Sequence, residues 1–253
     1  MTTRPDFLNP LIRKLNQYVR LSSMDRDTLQ RLSSEHFRSY AARVDLIHEG
    51  QAPHAVFVFL SGWGYRYKQM EDGRRQILAI FLPGDCCDLN NQLLVAMDHS
   101  IGTITPATVA TLLPEAVARV MAGSLRLQQA LWWEALVNIA VQREWTVNLG
   151  QRSAFERVAH LLCELFIRMR AVGGTNGNVC EMPLTQVDMA DATGLSAVHA
   201  NRTLQELRAA GLIVLRDKLL TVPDLGALQE AAMFNPNYLH LDHEGRSLDA
   251  NQE

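Results

Sequence analysis

Residues 184–213, LTQVDMADATGLSAVHANRTLQELRAAGLI, carry side chains suited to reading the edges of base pairs. On a helix running from Ser196 to Ala210, stepped by 100° per residue, Val198, Arg202, Gln205 and Ala209 share one face. His199 and Asn201 flank it, and Ala200, Leu204 and Leu207 cluster on the opposite, core-facing side. The planar fork of Arg202 matches guanine O6 and N7, which makes it the first candidate for a base contact. Asn201 and Gln205 can bond to a base or a phosphate, and His199 can donate to a phosphate or touch a base edge. Ser196 stands at the N-cap, where backbone N–H groups attract a phosphate, and Thr185 can reach the DNA backbone from the preceding helix. Simple solvation of Arg202 and Gln205 is the competing assignment.

These side chains need a rigid mount, and the same stretch supplies one. Ala190 and Gly194 stand four apart, the spacing of two short helices joined by a tight turn. A small residue lets the first helix approach the second, and glycine fits the turn without a Cβ clash. Thr185 with Asp188 three residues on resembles a capping box, with Asp in place of the usual Glu or Gln. Gly211 ends the second helix, and IVLRDKLLTV reads as a small hairpin closing at Pro223. The second helix of such a pair lies in the DNA major groove.

The preceding chain divides by texture. Residues 7–35 look helical, with Leu8, Leu11, Ile12, Leu15 and Val19 on one face and Ser22 or Ser23 capping a second short helix. From about His36 the pattern turns to short strands punctuated by glycine: VDLIHEG, AVFVFLSG, WGYRYKQM and RQILAIFLPG. Asp72-Gly73 between two of them predicts a hairpin with a type I′ turn. Further strands are predicted at 99–105 and 108–113, and many short strands at regular spacing suggest a barrel or roll. Pro114 opens a short helix. A long helix over about 124–150 follows, apolar on more than one stripe, so that one side can pack on the β domain while another meets a partner helix. Leu131, Trp132, Leu136, Ile139 and Trp145 are its candidate dimer contacts. Ser153 caps a helix to about Met169, and GGTNGN at 173–178 reads as a loop. The domain limits are 1–123, 124–151, 152–225 and a tail at 226–253 whose final ten or so residues are expected to be disordered.

Composition narrows the class. The 253 residues suffice for about two domains. No apolar run approaches the roughly 20 residues of a membrane span, and the start, MTTRPDFLNP, lacks a signal peptide's apolar core, so no membrane association is expected. Cys86, Cys87, Cys163 and Cys180 lack metal-site spacing, which points to a reducing cytoplasm. Net charge is −3. Residues 152–225 hold eight basic and eight acidic side chains, so specificity must come from placed contacts rather than bulk positive charge. G-x-S-x-G, the P-loop, HExxH and paired CxxC are all missing, and an enzyme finds no support.

In combination the chain resembles the Crp/Fnr superfamily of bacterial transcription regulators over nearly its whole length. Gly50, Gly62 and Gly84 recur where that family's cyclic-nucleotide-binding-type β-roll turns. IHEGQAPHAVFVFLSG followed by DGRRQILAIFLPGD looks like its core signature, and the helix-turn-helix with a wing completes the match. The resemblance implies an α+β fold with an N-terminal β-roll of the double-stranded β-helix or jelly-roll type as sensor domain, a long dimerisation helix and a C-terminal winged helix-turn-helix. It implies a homodimer on a palindromic double-stranded DNA operator, with RNA polymerase as a further expected partner. The family's usual motif has glutamate where this chain has Val198, so a different operator is expected, with a thymine-methyl contact one option.

The effector stays unknown. The cAMP-responsive members use Gly-Glu and, downstream, Arg-Ser; Gly84-Asp85 and His99-Ser100 occupy the nearest positions here and form the candidate effector pocket. Asp85 is short for a ribose hydroxyl, and His99 is a poor substitute for an arginine clamp on a cyclic phosphate, which disfavours cAMP. An iron–sulfur cluster is disfavoured because the oxygen-sensing branch uses an N-terminal cysteine cluster and no cysteine precedes Cys86. Haem through His36, His48, His54 or His99 has no motif to select it, and a thiol redox role for Cys86-Cys87 is the minority alternative to simple packing. The rival functional classes are a ligand-binding module acting through protein partners and a true cAMP-responsive regulator.

Overall fold

The computed structural model describes residues 9–241. Leu8 and the tail end expected to be disordered lie outside the described residues. The chain opens with helices α1 (Pro10–Leu15) and α2 (Ser23–Glu35). Ser22 caps α2 in a full capping box with Asp25, satisfying two N–H groups that a helix start leaves open.

Eight strands follow: β1 (Phe37–Tyr40), β2 (Asp45–Ile47), β3 (Val56–Ser61), β4 (Gly64–Gln69), β5 (Arg75–Phe81), β6 (Cys86–Cys87), β7 (Ser100–Thr103) and β8 (Ala107–Leu112). They form two four-stranded antiparallel sheets, ordered β1-β8-β3-β6 and β2-β7-β4-β5. Inward-facing Phe57, Phe59, Phe81, Ile47, Ile101 and Val109 fill the space between them, with the Phe59 and Phe81 rings stacked at 5.8 Å. A Cβ on Gly64 would meet the Phe59 ring at 2.1 Å, so only glycine lets β4 pass that ring.

The hairpin predicted at Asp72-Gly73 joins β4 to β5, but its turn differs from the type I′ expected. Only Gly73 has a positive φ, at +87°, and its N–H donates to Met70 O at 2.9 Å while Met70 N–H donates to Arg74 O at 2.7 Å. The longer loop lets one left-handed glycine close the hairpin instead of two left-handed central residues.

Helix α3 (Pro114–Gly123) leads into α4 (Leu125–Gln151), about 40 Å long, whose N-cap is Ser124. Ser153 and Glu156 build the capping box of α5 (Ala154–Ala171). The stretch read as a loop at 173–178 carries the short strand β9 (Thr175–Asn176), paired to β10 (Val179–Glu181). Gly177, at φ +60°, makes that tight reversal, and two-residue pairing is too short for alternation to show. Helices α6 (Gln186–Thr193) and α7 (Ala197–Ala209) come next, then the wing β11 (Val214–Arg216) and β12 (Leu219–Thr221). The wing tip carries positive φ at both central residues, Asp217 and Lys218, so the turn geometry expected at the first hairpin occurs here. Helix α8 (Leu225–Ala231) and a 3-10 turn at Pro236–Leu239 close the described chain. Leu228 of α8 and Tyr238 and Leu239 of the 3-10 turn are buried against α5 and α4, so packing on the C-terminal domain continues past residue 225.

The β-roll, α4 and the C-terminal domain are joined by a buried charge network. Lys14 pairs with Asp85, and with Glu134 at 2.7 Å. Arg168 pairs with Asp85 at 2.7 Å and Glu164 at 3.0 Å. Glu164 also accepts from Trp145 Nε1 at 3.1 Å and Tyr238 Oη at 2.8 Å. Burial alone would raise the Asp85 carboxyl; Lys14 and Arg168 outweigh it and hold it below the ordinary carboxylate range. Separating any one pair of this network would strand a charge in a low dielectric.

Candidate nucleic-acid interface

Thr185 starts the site. Its hydroxyl accepts from Asp188 N–H at 3.1 Å and donates to the Asp188 carboxylate at 2.7 Å, while Asp188 reaches back to Thr185 N–H at 2.9 Å. The shorter Asp therefore completes the capping box. Helix α6 ends at Gly194, whose φ is +64°, a left-handed position that costs glycine little. Arg157 of α5 donates to the carbonyl of Thr193 at 2.8 Å, satisfying a helix-end acceptor and pinning the turn. Ser196 Oγ then accepts from His199 N–H at 3.2 Å as the N-cap of α7.

The faces of α7 fall as stepped from the sequence. Ala200, Leu204 and Leu207 are buried, together with Thr203. Val198, His199, Arg202, Gln205 and Ala209 are exposed and Asn201 half-buried. Val198 is 82% exposed, an apolar side chain presented to the outside with nothing of its own chain over it. Arg202 Nε donates to Glu206 Oε1 at 3.1 Å one turn on, a bond that uses neither terminal guanidinium nitrogen. One contact was not foreseen: Gln186, in the first turn of α6, donates its amide to Asn201 Oδ1 at 3.1 Å. The 15-residue separation hides this pairing from any periodicity, since only the turn angle brings the two helices' ends together.

The other expected sites are placed as follows. Of the residues expected on the dimer surface, Leu131 and Trp145 are instead buried within the chain, the latter bonded to Glu164. Trp132, Leu136 and Ile139, together with Leu125, are each more than half exposed and stand at heptad-like steps along α4. The sequence showed apolar residues on more than one stripe of this helix, and the segment at Tyr238 and Leu239 packs against it within the chain.

The four candidate effector residues do not face one cavity. Gly84, at φ +97°, is wedged under the carbonyl of Pro10, and Asp85 is locked between Lys14 and Arg168. His99 bonds Asp88 at 2.9 Å and Asp98 at 2.6 Å, and Ser100 Oγ accepts from Glu49 N–H at 2.9 Å. A cleft of about 320 Å³ between the roll and α4 is lined by Arg66, Asp88, Asn91, Asn138, Ile139 and Gln142 instead. Its one guanidinium, on Arg66, is already paired with Asp88. All four cysteines are buried; burial pushes the Cys86 and Cys87 thiols well above their ordinary value and those of Cys163 and Cys180 up to about 12. None is poised as a thiolate. His36, His48 and His54 lie exposed on the surface, and no group of three or more potential metal ligands occurs among the described residues.

The β-roll also grips the reading unit. Arg43 and Arg75 reach from the roll to Asp188 and Asp191 of α6, and the Arg75 guanidinium lies 5.1 Å from the Tyr65 ring centre. The helix-turn-helix is thus held between α5 on one side and the roll on the other.

Comparison with known proteins agrees with this architecture. Residues 37–124 match the cyclic nucleotide-binding domain family, and residues 156–231 match the Crp-like helix-turn-helix domain family. The transcriptional activator protein FnrL of Cereibacter sphaeroides is 29% identical over 218 residues, 85% of this chain and 86% of its own length. The nitrogen fixation regulation protein FixK of Bradyrhizobium diazoefficiens is 32% identical over 149 residues, 59% of this chain and 62% of its own. Among solved structures, FixK2 from Bradyrhizobium japonicum superimposes with a TM-score of 0.69 at 22% identity, covering 77% of this chain and 96% of that one. Fold order and both domain matches agree: the chain belongs to the Crp/Fnr family of DNA-binding transcription regulators.

Proposed function

We propose that two copies of this chain pair along α4 and present their α7 helices to successive major grooves of a palindromic operator. The carrying observation is the exposed face of α7, where Val198, Arg202 and Gln205 stand free of the core while Ala200, Leu204 and Leu207 are buried. Arg202 reads a base edge, Asn201, His199 and Gln205 contact bases or backbone, and Val198 meets a thymine methyl. The hydroxyls of Thr185 and Ser196 are engaged as caps, so phosphates at those points meet backbone N–H groups at the starts of α6 and α7.

The apolar stripe at Leu125, Trp132, Leu136 and Ile139 is the pairing seam, too large a surface to leave in water. RNA polymerase is the partner through which such a bound dimer acts, and the cytoplasm is where it meets DNA. No helix among the described residues is long and apolar enough to cross a membrane. The signal is left unnamed. Asp85, the nearest counterpart of the family's ribose-binding glutamate, is tied into the buried charge network, which favours a regulator that does not answer to cAMP.

Selection of bound fragments from sheared genomic DNA, followed by gel-shift competition, tests the assignment. Two symmetric half-sites about one helical turn apart are expected. Retention of random and selected fragments with equal affinity would contradict it.

A further inference from the structure

The hydrogen bond between Gln186 and Asn201 fixes which end of the Asn201 carboxamide faces the DNA. A carboxamide carries one acceptor oxygen and one donor NH₂. The Asn201 oxygen takes the Gln186 amide proton at 3.1 Å, and among the described residues its Nδ2 has no acceptor. Stepping around α7 puts Asn201 about 60° from Val198 on the side toward α6, while Arg202 lies about 40° to the other side. Gln186 therefore approaches from the flank, and the remaining NH₂ is the end left for a ligand on the reading face.

We infer that Gln186 is a positioning residue that presents the NH₂ end of Asn201 to the DNA, so that Asn201 favours a keto base, guanine or thymine, on the strand it faces. An asparagine with both ends free would bond adenine N6 and N7 at once, which needs its oxygen as acceptor. Here Gln186 holds that oxygen on the flank by one of its two lone pairs, which turns it away from the adenine N6 position. The donor end fits guanine O6 and N7 or thymine O4, whereas at adenine it reaches N7 alone and meets the N6 amino group as a second donor. Arg202, likewise a donor, and the apolar Val198 favour the same two bases beside it. The reading face is then built from donors and a methyl-sized apolar contact, with Glu206 turned to Arg202 as its internal partner. The inference rests on α7 being the DNA-reading helix; reduced operator affinity with relaxed preference at one base pair in Arg202→Ala tests that reading separately.

The experiment is selection from a randomised duplex pool with the full-length chain, its Asn201→Ala variant, and the variants Gln186→Glu and Gln186→Ala. Asn201→Ala identifies the operator position that Asn201 reads, by loss of preference there alone. In the parent protein that position is expected to carry guanine or thymine, favoured roughly 2- to 12-fold. Gln186→Glu can only accept, so it takes the Asn201 NH₂ and turns the oxygen outward; preference is expected to switch to adenine or cytosine at that position and nowhere else. Gln186→Ala frees both ends and is expected to move the preference toward adenine, which a free carboxamide contacts through N6 and N7. Gln186 is exposed in the first turn of α6, where an added carboxylate suits the helix dipole, so folding is not at stake. Three results would overturn the inference: an adenine or cytosine at the Asn201 position in the parent, which would mean the opposite amide pairing; an unchanged preference in Gln186→Glu; or a uniform loss of affinity in Asn201→Ala, the mark of a phosphate contact.

Discussion

Arg43 of the β-roll grips Asp188 of the first helix of the reading unit with both terminal nitrogens, Nη1 to Oδ1 and Nη2 to Oδ2, each at 2.7 Å. The paired residues lie 145 positions apart and belong to different domains. Asp188 is simultaneously the capping-box acid of α6, and Arg75 adds a third contact at 3.1 Å. One carboxylate therefore starts a helix and docks that helix on the β-roll.

Arg43→Ala is expected to cost about 1–3 kcal/mol in urea unfolding, since Arg75 still partners the buried acid. Asp188→Ala is expected to cost about 1 kcal/mol more, because the helix cap goes with the ion pair. A double-mutant cycle checks the pairing, and a coupling near zero would show that the clamp holds nothing. Burial pushes the Asp188 carboxyl up, but the bonds from Arg43 and Thr185 outweigh it and hold it at about 2. This stability is present above the ordinary carboxylate pKa and falls away as pH drops from about 4 toward 2.

A separate pH window belongs to His160. It is fully buried on α5 against the rings of Phe234 and Tyr238, and its ordinary value near 6.5 is lowered to about 3 by burial and by the nearby Arg152 cation. The unfolded chain binds this proton first, so stability is lost as pH falls from about 6.5 toward 3, by at most about 1.4 kcal/mol per unit. Thermal melts across pH 7 to 4 are expected to show this slope in the parent and a flatter one in His160→Phe, whose ring suits the aromatic cage. Identical slopes would remove His160 from the acid response.

The seam on α4 is expected to fail on a single charge. Leu136→Glu puts a carboxylate in the middle of the exposed stripe formed with Trp132 and Ile139, where pairing would desolvate it at a cost of several kcal/mol. Sedimentation at micromolar concentration is expected to give a dimer for the parent and a monomer for Leu136→Glu, with specific DNA binding reduced in step. A dimer that survives the substitution would place the seam elsewhere.

Local signals made the reading helix legible. Gly194, the caps at Thr185 and Ser196 and the 100° step that buries Ala200, Leu204 and Leu207 all act within one or two turns. The glycine-punctuated strands of the roll were visible for the same reason. Contacts between distant segments were not. Nothing near Trp145 marks it as buried and bonded to Glu164, a carboxylate it shares with Tyr238, so it read as dimer surface. Asp85 looked like a ligand residue by its place after Gly84, whereas Lys14 and Arg168, 71 and 83 positions away, make it structural. The Arg43 clamp and the Gln186–Asn201 bond escaped in the same way: each depends on how two elements are turned toward each other, which no short window of sequence records.

The most direct test of a DNA-reading α7 is titration of the selected operator and of an unrelated duplex with the parent and Arg202→Ala at one fixed salt concentration. Arg202 is exposed and only internally paired to Glu206, so its loss should leave the fold intact. Affinity for the operator is expected to fall by about 1–3 kcal/mol, with preference relaxed at a single base pair and binding to the unrelated duplex nearly unchanged. Operator affinity and base preference equal to the parent's would contradict the assignment of α7 as the reading helix and of Arg202 as its principal contact.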